Sequence, residues 1–63
     1  MLNNIIKGLQ IIQAIEPDTT LRADHDCIWV GDCEFEKYSE AEKDELYNRG
    51  WHIDPDAGFY FNT

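Results

Sequence analysis

Four side chains of zinc-ligand type, His25, Cys27, Cys33 and His52, are the residues of this sequence best equipped for chemistry, and Asp24 and Asp26 flank the first of them. His25 and Cys27 are two apart, so an extended backbone would turn both the same way. Structural zinc sites space their cysteines by about two to four residues, or their histidines by about three to five. Here five residues separate the cysteines and the histidines are 27 positions apart. The plainer alternative is a turn histidine, a small buried cysteine and an exposed thiol. A small zinc-binding module on these four residues is therefore the second reading of the chain, and under the first no metal or other cofactor is expected. Cys27 with His25 or His52 could also be drawn as nucleophile and base. Nothing supplies an oxyanion hole, and the glycines at 8, 31, 50 and 58 are too scattered to cradle a phosphate. So short a chain also has little room for a pocket of about 300 Å3. An enzyme is not expected.

The carboxylates carry the stronger signal. Thirteen Asp and Glu against five Lys and Arg give a formal charge of −8 on 63 residues, and seven of the acids fall between Asp32 and Glu45. Asp32, Glu34 and Glu36 alternate with Cys33 and Phe35. On an extended backbone they would line one side at intervals of roughly 6.8 Å, close to the separation of successive backbone phosphates. Asp24 and Asp26 form a similar pair, Glu40 and Asp44 continue the negative field, and Asp54 and Asp56 sit at the last turn. Such a row suits a groove meant for nucleic acid; the bland alternative is a solubilising surface. The same charge excludes direct nucleic-acid binding by phosphate neutralisation, which needs a basic patch. It also disfavours an anionic membrane, and no run of about 18 apolar residues could span one.

These groups must be positioned by a single small domain, residues 1–63, since a second core would have nothing to build it from. At 43% hydrophobic and 13% aromatic residues the chain is too apolar for a disordered acidic tail. Residues 2 to 15 read as a helix. At about 100° per residue, Leu2, Ile5, Ile6, Leu9 and Ile12 share an arc of about 120°, a core-facing stripe that leaves Ile11 among polar residues. Pro17 ends it, because the residue before a proline is pushed out of the α region. Thr20-Leu21-Arg22-Ala23 and Cys27-Ile28-Trp29-Val30 read as a hairpin about Asp24-His25-Asp26. Residues 32 to 38 read as an acidic connection with Phe35 tucked inward. Ser39-Glu40-Ala41-Glu42 is a capping box that starts a second helix running to about Arg49, with Ala41, Leu46 and Tyr38 as its thin apolar side and Gly50 beyond its end. Trp51-His52-Ile53 and Phe59-Tyr60-Phe61 flank Asp54-Pro55-Asp56-Ala57-Gly58, a second hairpin.

The order helix, strand, strand, helix, strand, strand predicts an α+β fold, an antiparallel sheet with both helices on one face. With Ile28, Val30, Trp51, Ile53, Phe59 and Phe61 as core, period-two alternation leaves Trp29, His52, Tyr60 and Cys27 on an open face. A reversed assignment, with Trp29 in the core, is equally compatible with the sequence. An open face of Trp, Tyr and His beside carboxylates is what protein interfaces use. The partner-binding residues expected on these grounds are Asp24, Asp26, Trp29, Asp32, Glu34, Glu36, Glu40, Asp44 and Tyr60.

The run Ala23-Asp24-His25-Asp26 followed by Ile28-Trp29, then Ser39-Glu40-Ala41-Glu42 to Leu46, then Gly50-Trp51-His52 and an aromatic C-terminal strand, resembles short acidic proteins of bacteriophages and mobile elements, among them anti-CRISPR and other anti-defence inhibitors. The likeness spans most of residues 16 to 63. These inhibitors generally act by binding and belong to many unrelated folds, so no catalytic residue carries over. The resemblance implies a stoichiometric inhibitor in the bacterial cytoplasm that docks carboxylates on a CRISPR effector or another nucleic-acid-handling complex. The absence of a basic-then-apolar leader, and two cysteines read as reduced thiols, agree with that compartment. A homodimer is also expected. Ile11 lies on the polar side of the first helix and the sheet has an exposed edge. Because the Asp32–Glu45 region would repel its copy, the contact should use the first helix or the open sheet face.

Overall fold

A computed structural model describes all residues, 1–63. The chain forms helix α1 (Leu2–Ile15), strands β1 (Thr20–Ala23) and β2 (Cys27–Gly31), a single 3-10 turn (Phe35–Lys37), helix α2 (Glu40–Asn48), and strands β3 (Trp51–Asp54) and β4 (Gly58–Asn62). The strands make one antiparallel sheet in the order β1-β2-β4-β3, so β4 returns between the two strands that precede it. The α+β architecture and its element order are those the sequence predicts.

Register settles which face is covered. Val30 stands opposite Phe59, and Trp51 opposite Phe61. All four are buried in one cluster with Ile12 of α1, Leu46 of α2 and Tyr38. Both helices thus lie on that face. Trp29, Tyr60 and His52 are cross-strand neighbours on the other, which resolves the orientation of β2 in favour of an outward Trp29.

Local chemistry explains the boundaries. The Ser39 hydroxyl accepts the Glu42 N–H at 3.1 Å and the Glu42 carboxylate accepts the Ser39 N–H at 2.8 Å, so the capping box forms as read. At the last turn the Asp54 carboxylate accepts the Asp56 N–H at 2.9 Å. Gly58, at φ 122°, lies so close to the Val30 carbonyl that a Cβ there would overlap it.

Helix α1 departs from its predicted orientation. Its buried arc is turned by a little under a quarter of the circumference: Gly8 and Ile12 are buried, Ile5, Leu9, Ile11 and Ile15 pack partly against the core, and Leu2 and Ile6 are exposed. The cause is Trp51, whose indole lies against Gly8, where any Cβ would overlap it, and donates its N–H to the Asn4 carbonyl at 3.1 Å. A large ring seeks the side-chain-free line of the helix, and hydrophobic periodicity alone does not reveal that line. Ile11 is therefore a packed residue and does not motivate a dimer. Two smaller corrections follow. Ala41 is exposed, leaving Leu46 as the only buried residue of α2, and Ile53, at the outer strand, is half open to solvent.

Candidate functional site

On the uncovered sheet face the rings of Trp29 and Tyr60 stack at 4.8 Å between centroids, and Tyr60 stacks on His52 at 5.2 Å. Tyr47, reaching round from α2, meets His52 at 6.1 Å in a tilted pair. The order β2-β4-β3 makes this row: Trp29, Tyr60 and His52 occupy matching register positions on three adjacent strands, and cross-strand aromatic pairs stabilise such neighbours. Arg22 of β1 extends the row opposite Trp29.

Each end of the row opens into a shallow recess with two carboxylates. At the Trp29 end, Asp32 and Asp56 join Arg22, Thr20 and Gly31 around about 470 Å3. At the His52 end, Asp44 and Glu40, the latter paired with Lys43, join Tyr47 and Tyr60 around about 490 Å3. Asp24 and Asp26, both exposed, occupy the turn between β1 and β2. Asp32 holds a left-handed backbone, φ 59°, uncommon for a residue with a side chain.

The evenly spaced row of Asp32, Glu34 and Glu36 does not exist. The 3-10 turn at Phe35–Lys37 interrupts the extended segment, because Phe35 turns inward to meet Phe59 edge-on at 5.3 Å. The same turn carries Glu34 toward the end of α1, where its N–H meets Glu16, away from the aromatic row, and Glu36 falls within the turn itself. Glu34 is held 3.8 Å from Lys37, Glu40 3.1 Å from Lys43, and Glu45 2.8 Å from Arg49. Asp24, Asp26, Asp32, Glu36 and Asp44 have no such on-chain cation. Of the predicted interface residues, Asp24, Asp26, Trp29, Asp32, Asp44 and Tyr60 therefore lie around one face, Glu40 flanks it already paired, and Glu34 and Glu36 lie elsewhere.

The sequence reading placed His52 on this face with Trp29 and Tyr60, as the register shows, but did not count it among the partner-binding residues. Tyr47 was missed, since nothing in the sequence of α2 placed it beside His52. A buried carboxylate was missed as well. Glu16 is 9% exposed, accepts the Glu34 N–H at 3.0 Å and accepts the Tyr38 hydroxyl at 2.8 Å. Burial pushes its carboxyl up, but the Glu34 and Tyr38 hydrogen bonds, helped by Cys33 and Lys37, outweigh that and hold it below its ordinary value. Burial first, and then the neighbouring Glu16, push Tyr38 and Cys33 above theirs. These groups form an internal clamp tying the end of α1 to the connection after β2. They are not an open site.

The zinc-type residues are not gathered. Cys27 donates its S–H to the Asn62 side chain at one end of β2, Cys33 lies beyond the other end beside the Val30 carbonyl, His25 is exposed in a turn, and His52 is in the aromatic row. No three His, Cys, Asp or Glu side chains converge as a metal site would need, and both thiols are free. No helix is long and apolar enough to cross a membrane. Comparison with protein-family models, with curated proteins and with solved structures yields no match.

Proposed function

We propose that this chain is a non-enzymatic binding protein of the phage-inhibitor, anti-CRISPR-like kind. In the bacterial cytoplasm it would seat its open sheet face on a Lys/Arg-lined surface of a CRISPR effector or another nucleic-acid-handling complex. One observation carries the reading: a stack of aromatic rings lies uncovered across the sheet with carboxylates at both ends. A charge of −8 raises the encounter rate with a basic surface and orients the approach. Rings already stacked lose little freedom on binding and present a preformed apolar strip to the partner, which slows release. The target's cations, engaged by Asp24, Asp26, Asp32 and Asp44, are then no longer free for phosphate.

The test is capture from a nuclease-treated bacterial lysate, followed by titration of the purified target at rising salt. Affinity should fall with salt, and the bound target should lose its nucleic acid. Replacing Trp29 and Tyr60 together by Ala should weaken binding by roughly 100-fold or more, through dissociation. Reversing Asp24, Asp26 and Asp44 to Lys should act mainly on association and flatten the salt dependence. Reversing Glu34 and Glu36 should have the smaller effect. Binding indifferent to both sets of changes, or a target that keeps its nucleic acid while bound, would sink the proposal.

A further inference from the structure

The recess at the His52 end of the aromatic row lies where α2 packs against the outer strand β3. Glu40, Asp44 and Tyr47 border it from the helix, His52 and Ile53 from β3, and Tyr60 from β4. Asp44 and Tyr47 are three positions apart on α2, so they share one side of that helix. The rings here are arranged unlike the rest of the row. Trp29 on Tyr60 and Tyr60 on His52 are nearly parallel, at 29° and 30°, so their facing sides are occupied by one another. Tyr47 meets His52 at 6.1 Å with the planes inclined by 56°, a wedge rather than a stack. Tyr47 is 62% exposed, and Ile53, bordering the same recess, is 45% exposed.

Charge selects what the recess takes. Its one lysine, Lys43, lies 3.1 Å from Glu40, whereas the Asp44 carboxylate has no on-chain cation. Ring faces carry negative potential, so an exposed tyrosine face and an unpaired carboxylate together call for a positive group. An anion would be repelled by both. A wholly apolar occupant would strip water from Asp44 and return no hydrogen bond. Shape narrows the choice further. A guanidinium is a flat fork that stacks on ring faces and grips carboxylates with two parallel bonds, and it cannot lie flat against both rings of a wedge. An ammonium is a compact point charge without a plane. Its four-carbon stem can lie along Ile53 and the rings while its head reaches Asp44.

We propose that this recess seats a lysine side chain of the protein partner, with Asp44 as its counter-ion and the Tyr47 ring against its ammonium. The inference rests on the binding role of the aromatic face and narrows it to one residue type at one end of the row. Tyr47 and Asp44 thereby set which basic surfaces the face accepts.

The probe is N-acetyl-lysine methylamide, titrated to about 100 mM into the full chain while the ring signals of Tyr47, His52 and Trp29 are followed by NMR. The Tyr47 and His52 signals should shift and saturate, with half-saturation at about 10 mM, and those of Trp29 should stay in place. The uncharged norleucine amide and the arginine amide should each bind at least about threefold more weakly. Tyr47→Ala and Asp44→Asn should each weaken the lysine amide by about threefold to fivefold with unchanged far-UV spectra, while Tyr47→Phe, which keeps the ring, should retain it. Tyr47 and Asp44 signals that never respond would overturn the proposal. So would a norleucine or arginine amide that binds as tightly as lysine, or lysine binding indifferent to both variants. A captured target lost in the Trp29 and Tyr60 variants but held unchanged by Tyr47→Ala and Asp44→Asn would leave the role of the face and remove the lysine seat. A chain that binds the lysine amide as expected yet captures no target would keep the seat and remove the role.

Discussion

Gly8→Ala sets helix propensity against packing. Gly8 lies in the middle of α1, where alanine is better than glycine by about 1 kcal/mol in an ordinary helix. The structure predicts the opposite sign, because the added Cβ would overlap the indole of Trp51, which is 1% exposed and has nowhere to retreat. Moving the ring strains a packed core, typically at about 1–3 kcal/mol, and breaks its hydrogen bond to the Asn4 carbonyl, worth about 1 kcal/mol. Set against the propensity gain, the net loss is about 1–3 kcal/mol. That is a large share of the few kcal/mol expected for a domain this small. Urea unfolding followed by far-UV circular dichroism measures it, and a Trp29→Phe background leaves Trp51 as the sole indole reporter. In a Trp51→Leu background the clash is removed, so Gly8→Ala should there become neutral or stabilising. A Gly8→Ala protein more stable by about 1 kcal/mol, with Trp51 emission unchanged, would refute the placement of the ring on the glycine.

The Glu16 clamp and Asp32 give three further expectations. Tyr38→Phe should cost about 1.5–3 kcal/mol near neutral pH by removing a hydrogen bond to a charged acceptor. The folded-state value of Glu16 is depressed, so its stabilisation is present above the ordinary carboxylate range and is lost as pH falls through the folded value. Urea midpoints of the native chain and Glu16→Gln should accordingly converge on acidification, and a gap that does not change with pH would contradict the clamp. Asp32→Val should lose about 1–2 kcal/mol at its left-handed position while Asp32→Gly stays within about 0.5 kcal/mol, a contrast that thermal unfolding resolves.

Element types were legible because their signals are local. The capping box at Ser39, Pro17 after the first helix, and Asp54-Pro55 with Gly58 at the last turn each act within a few residues, and each does in the structure what its chemistry requires. The alternation of Trp29, Tyr60 and His52 likewise follows from the two-residue period of a strand. What stayed hidden depends on partners far along the chain. The turn of α1 follows from Trp51, 43 positions beyond Gly8. The bend that removes Glu34 and Glu36 from the row follows from Phe35 meeting Phe59, and the burial of Glu16 from Tyr38 and the Glu34 backbone. None of these pairings has a signature within its own segment.

The division of labour between aspartate and glutamate links turn chemistry to the surface this chain presents. Three of its five cations are spent on glutamates of α2 and the turn before it, Glu34, Glu40 and Glu45, and Glu42 is spent on the helix cap. The helix-covered side is thereby partly neutralised. The carboxylates around the open face are mostly aspartates, at 24, 26, 32, 54 and 56, and they sit in turns because their short side chains stabilise turn backbones. Turns lie at the ends of strands, so an antiparallel sheet with Asp-rich turns sets negative charge at the ends of whatever its strands display. Here the strands display Trp29, Tyr60 and His52. The residue choices that close the hairpins thus also surround an apolar strip with charge, the arrangement of rim and centre that protein interfaces use. An acidic surface serving solubility alone would gain nothing from placing its charge around stacked, half-exposed aromatic rings.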